Sequence, residues 1–163
     1  MCDHSDAALV APAVQALIAI PGPSSTPGPL GGGLIEHPFF IERHSSIQYD
    51  SVKDLEEHVN GILSVTGRKE RVRLRDEVAI YGLRLCPSDL KRVNFMKGKD
   101  GRIVAVDYAG YSFLPPSFFA LALRTGVFAH ELSQMLQYPL CQDNTDALES
   151  ASFALVPFGT NKI

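Results

Sequence analysis

Apolar and polar positions follow helical spacing most clearly from Ser51 to Val65. The apolar positions recur every three or four residues, at Val52, Leu55, Val59, Ile62 and Leu63. Ser51 with Asp54 three places on resembles a capping box, and Gly67 can end the helix. The other face carries polar residues, Lys53, Glu56, Glu57 and Asn60. We expect the apolar face to pack and the polar face to meet water.

The rest of the pattern predicts more helices and only short strands. The predicted helices cover about Ala11 to Ile20, Phe118 to Leu123, Phe128 to Leu136, and a last one capped by Asn144 or Thr145. The first helix is expected to begin at Ala11 because Pro12 is tolerated in a first turn but costly further in. Val78 to Leu85 has the pattern of an apolar strand. These elements indicate an α+β fold that is mostly α-helical.

A hairpin is predicted inside the stretch Leu85 to Gly110. Asn94 opens a short apolar run, and Gly98 to Gly101 supplies turn residues with an Asp-Gly pair that favours a tight hairpin. Arg102 to Val106 returns as a β-branched strand. A hairpin of this length brings Asp107 back beside Asn94.

The polar residues of this stretch suit phosphoryl transfer. Such a reaction needs a base or positioner for the attacking hydroxyl, and oxygen ligands for Mg²⁺. Asp89 can be the base, while Asn94 and Asp107 can hold the metal, in the layout of a catalytic loop followed by a metal-holding aspartate. Aspartates are also common in surface turns, so a purely structural role for Asp89 stays open.

Two blocks, DLKRVN and GRIVAVDYAG, resemble the catalytic and metal-binding loops of the aminoglycoside phosphotransferase and choline-kinase-like family, which has a protein-kinase-like fold. Longer blocks resemble fungal proteins of that family from about Ala13 to Ile163, namely IPGPSSTPGPLGGG, CPSDLKRVNFM, DYAGYSFLPPSFFALALR and SASFALVPFGTNKI. The resemblance implies Mg²⁺ and ATP as cofactors and a small-molecule hydroxyl as acceptor. It also implies that Lys91 offsets the charge of the transferred phosphate.

The chain departs from the family pattern in two respects. Pro87 stands where the family usually has a loop-supporting histidine, and Ser88 where it has glycine or arginine. No strand lysine, helix glutamate or phosphate-covering loop can be placed before Asp89, so we expect a kinase-like carboxy-terminal lobe without an amino-terminal lobe. Two functions stay open: a phosphotransferase that needs a nucleotide lobe, and a non-catalytic, pseudokinase-like or truncated binding module.

The expected lobe is a single domain over residues 1–163. It has a leading helix (1–20), a loop-rich segment (21–48) and a helical lobe (49–163) that contains the catalytic-type loop 85–110. The hairpin in that loop carries the metal-binding residues.

Composition narrows the partners and the setting. With 15 basic and 18 acidic residues the net charge is −3, which gives no electrostatic case for a nucleic acid. Three cysteines without a CxxC pair favour a reduced, cytoplasmic setting. The apolar run from Ala7 to Ile20 is too short to span a bilayer, so we expect a buried helix and no membrane partner. The expected ligands are a nucleotide and a small acceptor.

Overall fold

The computed structural model describes residues 7–162, and these form an α+β fold with six α-helices and two antiparallel sheets of two strands each. In chain order the elements are α1 (Ala7–Ile18), α2 (Val52–Val65), α3 (Leu74–Tyr81), β1 (Arg84–Pro87), β2 (Phe95–Lys97), β3 (Ile103–Ala105), β4 (Tyr111–Leu114), α4 (Pro116–Ala122), α5 (Val127–Ser133) and α6 (Gln142–Leu155). Short 3₁₀ turns lie at Ile41–Arg43, Arg92–Asn94, Tyr108–Gly110 and Val156–Phe158. The predicted α+β class is confirmed.

Helix α2 confirms the clearest sequence prediction. Ser51 Oγ accepts a hydrogen bond from the Asp54 backbone N–H at 3.2 Å, which satisfies one donor of the first turn. Gly67 ends the helix with φ 72°, and the Arg68 N–H returns to the Leu63 carbonyl at 2.8 Å. The five predicted apolar positions are all buried.

The polar face of α2 does not simply meet water, and the expectation for Glu56 is wrong. Glu56 is only 6% exposed, and its carboxylate accepts from the backbone N–H of Arg75 at 2.9 Å and from Arg75 Nε at 2.8 Å. Asn60 pairs in the same way with both backbone groups of Val72. The reason is long-range: the first turn of α3 has unpaired N–H groups, and α2 supplies the acceptor.

The predicted strand from Val78 to Leu85 is also wrong. Residues 74–81 form α3, which Gly82 ends at φ 71°, and β1 begins only at Arg84. Helical spacing buries Leu74 and Glu77 on one face. Glu77 then accepts from the Ser117 N–H and from Asn144 Nδ2, each at 2.6 Å. These tertiary bonds outweigh the strand-like apolar pattern.

Helix α1 begins four residues earlier than predicted and ends at Ile18 rather than Ile20. Pro12 therefore lies inside the helix, where it cannot donate to the Ala8 carbonyl. The helix tolerates this because Val10 and Val14 are fully buried and stabilise it by packing. The residues after it run beside β1, with Leu85 N–H donating to the Ile20 carbonyl at 3.0 Å.

The last two helices also differ from prediction at their ends. Helix α5 stops at Ser133 rather than Leu136, and α6 begins at Gln142, before both predicted caps. Asn144 does not cap the helix because its side chain accepts from the Arg73 N–H at 2.8 Å. The predicted apolar face of α6 is buried, at Ala147, Leu148 and Ala151.

The core lies where α2 and α4 pack on α6, and α1 packs against β1 and α5. Strand β1 pairs with β4, and the pair ends with Pro87 opposite Tyr111. The chain that leaves β1 and the chain that enters β4 are therefore neighbours. None of the helices in residues 7–162 is long and apolar enough to cross a membrane.

Candidate functional site

The predicted hairpin is present and determines where Asp107 lies. Strands β2 and β3 pair from Phe95 with Ala105 to Lys97 with Ile103. One residue beyond this register, the Val106 N–H donates to the Asn94 carbonyl at 2.8 Å. Asp107 follows immediately, so the hairpin brings its backbone beside Asn94.

Asp89 is the centre of the site. Its Oδ1 lies 3.0 Å from Arg43 Nη2 and 3.0 Å from Lys91 Nζ, and its Oδ2 accepts from Asn94 Nδ2 at 3.0 Å. The Asp89 side chain is 17% exposed, so the carboxylate is reachable but held. Three of the four predicted residues, Asp89, Lys91 and Asn94, are thus in direct contact.

The side-chain amide of Asn94 is oriented with its Nδ2 towards Asp89, which leaves its Oδ1 as the atom that could bind a ligand. Its Nδ2 donates to the Asp89 carbonyl at 2.9 Å as well as to the carboxylate, which settles the direction of the amide. Asn94 is buried, yet no group within residues 7–162 donates a hydrogen bond to its Oδ1. The oxygen is available for a ligand outside the protein.

Asp107 is exposed and has a left-handed backbone, with φ 62° and ψ 74°. Such a conformation in a non-glycine residue costs on the order of 1–3 kcal/mol and persists only where the surroundings impose it. Here the bond from Val106 to Asn94 lies on one side and the 3₁₀ turn Tyr108–Gly110 on the other. Strain that is held in this way is common at ligand sites.

The donor set of Asn94 and Asp107 fits Mg²⁺ bound together with phosphate. Residues 7–162 contain no cluster of three or more His, Cys, Asp or Glu side chains that could hold a metal by themselves. Mg²⁺ usually keeps waters and takes only one or two carboxylates from the protein, with phosphates supplying further oxygens. One carboxylate and one amide oxygen therefore suit a metal that arrives with a nucleotide, and not a structural metal site.

Ser88 and Gly110 hold the two halves of the site together, and neither was predicted as a site residue. The Ser88 N–H donates to the Gly110 carbonyl at 3.0 Å, and Ser88 Oγ lies 2.8 Å from that carbonyl and from the Glu36 carbonyl. A Cβ on Gly110 would lie 2.7 Å from Ser88 Oγ. The only signal in the sequence was a glycine three places after Asp107.

Arg43 is the other site residue that sequence reasoning missed. Among residues 7–162 only Glu42, Arg43 and Asp107 are non-glycine residues with positive φ, and Arg43 and Asp107 both belong to this site. An ion pair as exposed as the one between Arg43 and Asp89 contributes roughly 0–1 kcal/mol, less than the backbone strain of the segment that supplies it. No local pattern in the loop-rich segment marks this residue.

The segment that carries Arg43 is held from both sides. His37 is fully buried, donates from Nε2 to the Phe118 carbonyl at 2.9 Å and accepts from the Phe39 N–H at Nδ1. Burial lowers the pKa of His37 to about 3, so the ring is neutral. On the other side, Asn161 Oδ1 accepts from the Ile41 N–H at 2.7 Å. Residues 36–45 therefore form a fixed arm.

Comparison of the chain with protein-family models, with curated proteins and with solved structures gives no match. The case for a function therefore rests on the residues of the site and their geometry.

Proposed function

We propose that this chain carries the metal-binding and acceptor-binding side of a phosphotransferase that resembles the aminoglycoside phosphotransferase and choline-kinase-like enzymes. Paired with a nucleotide lobe, it transfers the terminal phosphoryl group of ATP to a small-molecule hydroxyl. The observation that carries the proposal is the arrangement of Asn94. Its Nδ2 is committed to Asp89, while its Oδ1 accepts no hydrogen bond from residues 7–162. Its backbone carbonyl accepts from the Val106 N–H, next to the strained Asp107.

Asp89 orients the acceptor hydroxyl and takes its proton. The donors Arg43, Lys91 and Asn94 hold the carboxylate in one orientation. An ionised carboxylate has about four acceptor sites, so it can still accept the hydroxyl hydrogen. A base with fixed geometry near the attacking oxygen lowers the entropic part of the barrier.

Asn94 and Asp107 would hold Mg²⁺, and Lys91 faces the transferred group. When bound, the ion supplies neutralisation of the charge that develops on the phosphate oxygens. Lys91 Nζ lies 3.0 Å from Asp89 Oδ1 and its side chain is 61% exposed, so it can contact a phosphate while it stays beside that carboxylate. A flexible point charge of this kind suits phosphate binding.

Ser88 accounts for the departure at Pro87. Proline has no side-chain donor to support the loop. The adjacent Ser88 supports it instead, through its N–H and its hydroxyl, and links Asp89 to Gly110 and Glu36. The loss of the family histidine therefore does not argue against an ordered catalytic loop.

The hairpin offers an apolar surface to the base of a nucleotide. Met96 and Val104 are paired across β2 and β3, and both side chains are about half exposed. They lie one residue beyond the Asn94 end of the hairpin, close to where the phosphates would be held. Apolar contact beside a few polar groups is the usual make-up of a small-ligand site. The order of the Asp89 loop, the β2–β3 hairpin and Asp107 supports a kinase-like carboxy-terminal lobe as the fold.

A non-catalytic binding module is the second candidate function. It is favoured because neither sheet in residues 7–162 has more than two strands, so these residues do not contain a larger sheet that could carry a phosphate-covering loop. Much of the rate of phosphoryl transfer comes from positioning the nucleotide, which a phosphate-covering loop and its lysine provide. A module of this kind would bind Mg-ATP through the same residues and turn over none of it.

Calorimetric titration with Mg-ATP tests the metal-binding half of the proposal. Asp107→Ala is expected to weaken binding by more than about tenfold, because it removes the one carboxylate of the donor set. Asp100→Ala is the matched control, since it removes the same charge from the turn of the same hairpin. Equal affinity of the Asp107→Ala variant and the wild-type chain would refute the proposed metal site. Release of phosphate from bound ATP by this chain would exclude the binding module, which turns over none of it.

A further inference from the structure

The corner of the site around Asp89 Oδ1 contains two cations from distant parts of the chain. Arg43 Nη2 and Lys91 Nζ each lie 3.0 Å from this one oxygen, so the two nitrogens are at most 6.0 Å apart. A tetrahedral oxyanion with N···O contacts of about 2.7–2.9 Å to both nitrogens spans such a gap. The spacing suits one phosphate group.

The charge of this corner favours an anion as well. Two cations face a single carboxylate, which leaves one positive charge uncompensated among these three groups. Asp89 also sets the spacing of the cations, because both are bound to the same atom. An incoming anion therefore meets donors already in place.

The Arg43 guanidinium retains most of its hydrogen-bonding capacity. It has five N–H donors, and its one side-chain bond to a partner in residues 7–162 is the bond from Nη2 to Asp89. Its side chain is 38% exposed, so the remaining donors can reach a ligand. The planar fork of arginine matches the oxygens of a phosphate in a bidentate manner.

The arm that supplies Arg43 is built to hold it at this place. Glu42 and Arg43 have φ values of 56° and 65°, a run of two left-handed non-glycine residues. The Arg43 carbonyl accepts from the His37 N–H at 2.8 Å, and Asn161 Nδ2 donates to the His44 carbonyl at 2.7 Å. The backbone strain of these two residues costs more free energy than an exposed ion pair contributes to stability. The ion pair with Asp89 therefore does not by itself explain why the strained backbone is maintained.

We infer that Arg43 and Lys91 form an oxyanion-binding seat for a phosphate group, with Arg43 as its main recognition residue. The inference rests on the proposed function for its place in a phosphotransferase site, but binding of the anion itself requires no metal. The phosphate can come from the terminal group of a nucleotide or from an acceptor that already carries one.

Titration of the full chain with pyrophosphate, in EDTA and at low salt, tests the seat. We expect Arg43→Gln and Lys91→Gln each to weaken binding about tenfold, because each loses a charge-assisted contact. Arg102→Gln is the matched control, since Arg102 is a highly exposed arginine in the turn of the hairpin. It removes the same charge and should leave affinity within about twofold.

Thermal unfolding of each variant shows whether the fold is kept. A second variant separates the charge of Arg43 from the shape of its guanidinium group. Arg43→Lys keeps the charge and loses the fork, so its affinity should fall between those of the wild-type chain and Arg43→Gln. No binding of pyrophosphate by the wild-type chain at about 10 mM, or wild-type affinity in a folded Arg43→Gln variant, overturns the seat. If Asp107→Ala leaves Mg-ATP affinity unchanged, the metal site is refuted, but pyrophosphate can still bind at Arg43 and Lys91. The two experiments therefore distinguish failure of the metal site from failure of the seat.

Two further titrations identify the source of the phosphate. If the seat holds the terminal group of a nucleotide, Arg43→Gln weakens Mg-ATP more than Mg-AMP. If it holds a phosphate on the acceptor, Arg43→Gln leaves Mg-ATP unchanged and weakens inorganic phosphate added to a chain saturated with Mg-ADP. If Arg43→Gln weakens binding in neither of these titrations, the inference is contradicted.

Discussion

Replacing Gly110 with alanine is expected to lower the free energy of unfolding by about 2–3 kcal/mol and to weaken Mg-ATP binding at the same time. The new Cβ would lie 2.7 Å from Ser88 Oγ, well inside the contact distance. Ser88 Oγ can move only by giving up its contacts with the Glu36 and Gly110 carbonyls. The loop of Asp89 and the turn after Asp107 would then separate.

A double-mutant cycle isolates this contact. In a Ser88→Ala chain the colliding oxygen is gone, and the next atoms, in Asp89, lie 3.5 Å from the new Cβ at ordinary contact distance. Gly110→Ala should then cost less than about 1 kcal/mol. Chemical denaturation of the four proteins measures the coupling. Additive costs would show that the collision with Ser88 Oγ is not the source of the lost stability.

The free energy of unfolding is expected to fall by about 3 kcal/mol between pH 6.5 and pH 4 through His37 alone. Burial lowers the pKa of this histidine from 6.5 to about 3; the bond to the Phe118 carbonyl opposes the shift and the charge of Arg43 adds to it. The unfolded chain takes up a proton below pH 6.5, whereas the folded chain takes it up only near pH 3. The contribution of the neutral ring is therefore complete above pH 6.5 and is lost as the pH falls towards 3.

Denaturation at a series of pH values measures this slope. His37→Gln should be less stable at pH 7 and should show a flatter dependence on pH in this window. His130→Gln, which changes an exposed histidine, should keep the slope of the wild-type chain. An unchanged slope after replacement of His37 would rule out this histidine as its source. Since His37 holds the arm of Arg43, we also expect anion binding to weaken as the protein loses stability in acid.

The parts of the site that could be predicted are those encoded locally. The Asp-Gly turn and the β-branched strand after it lie within a few residues of each other, so turn chemistry predicts the hairpin and places Asp107 beside Asn94. Helix α2 was predictable for the same reason, since its cap and apolar face lie within one stretch. Local pattern carries that information in full.

The parts that could not be predicted depend on contacts between distant segments. Arg43 lies 46 positions before Asp89 in the sequence, and its backbone has a positive φ that an arginine does not predict. Glu56 is an ordinary surface residue by pattern, and only the position of α3 makes it a buried cap. The strand predicted around Val78 failed because Glu77 finds partners in two other helices. In each case tertiary packing decided what local preference left open.

The most direct test of the proposed metal and nucleotide site is an NMR titration of the isotope-labelled chain with Mn²⁺-ATP in place of Mg²⁺-ATP. Mn²⁺ takes similar oxygen ligands and broadens the signals of nearby nuclei. We expect the side-chain amide of Asn94 and the backbone amide of Asp107 to broaden first, followed by signals of the Asp89 loop. Broadening centred on another part of the chain, or no broadening at saturating nucleotide, would contradict the proposed site.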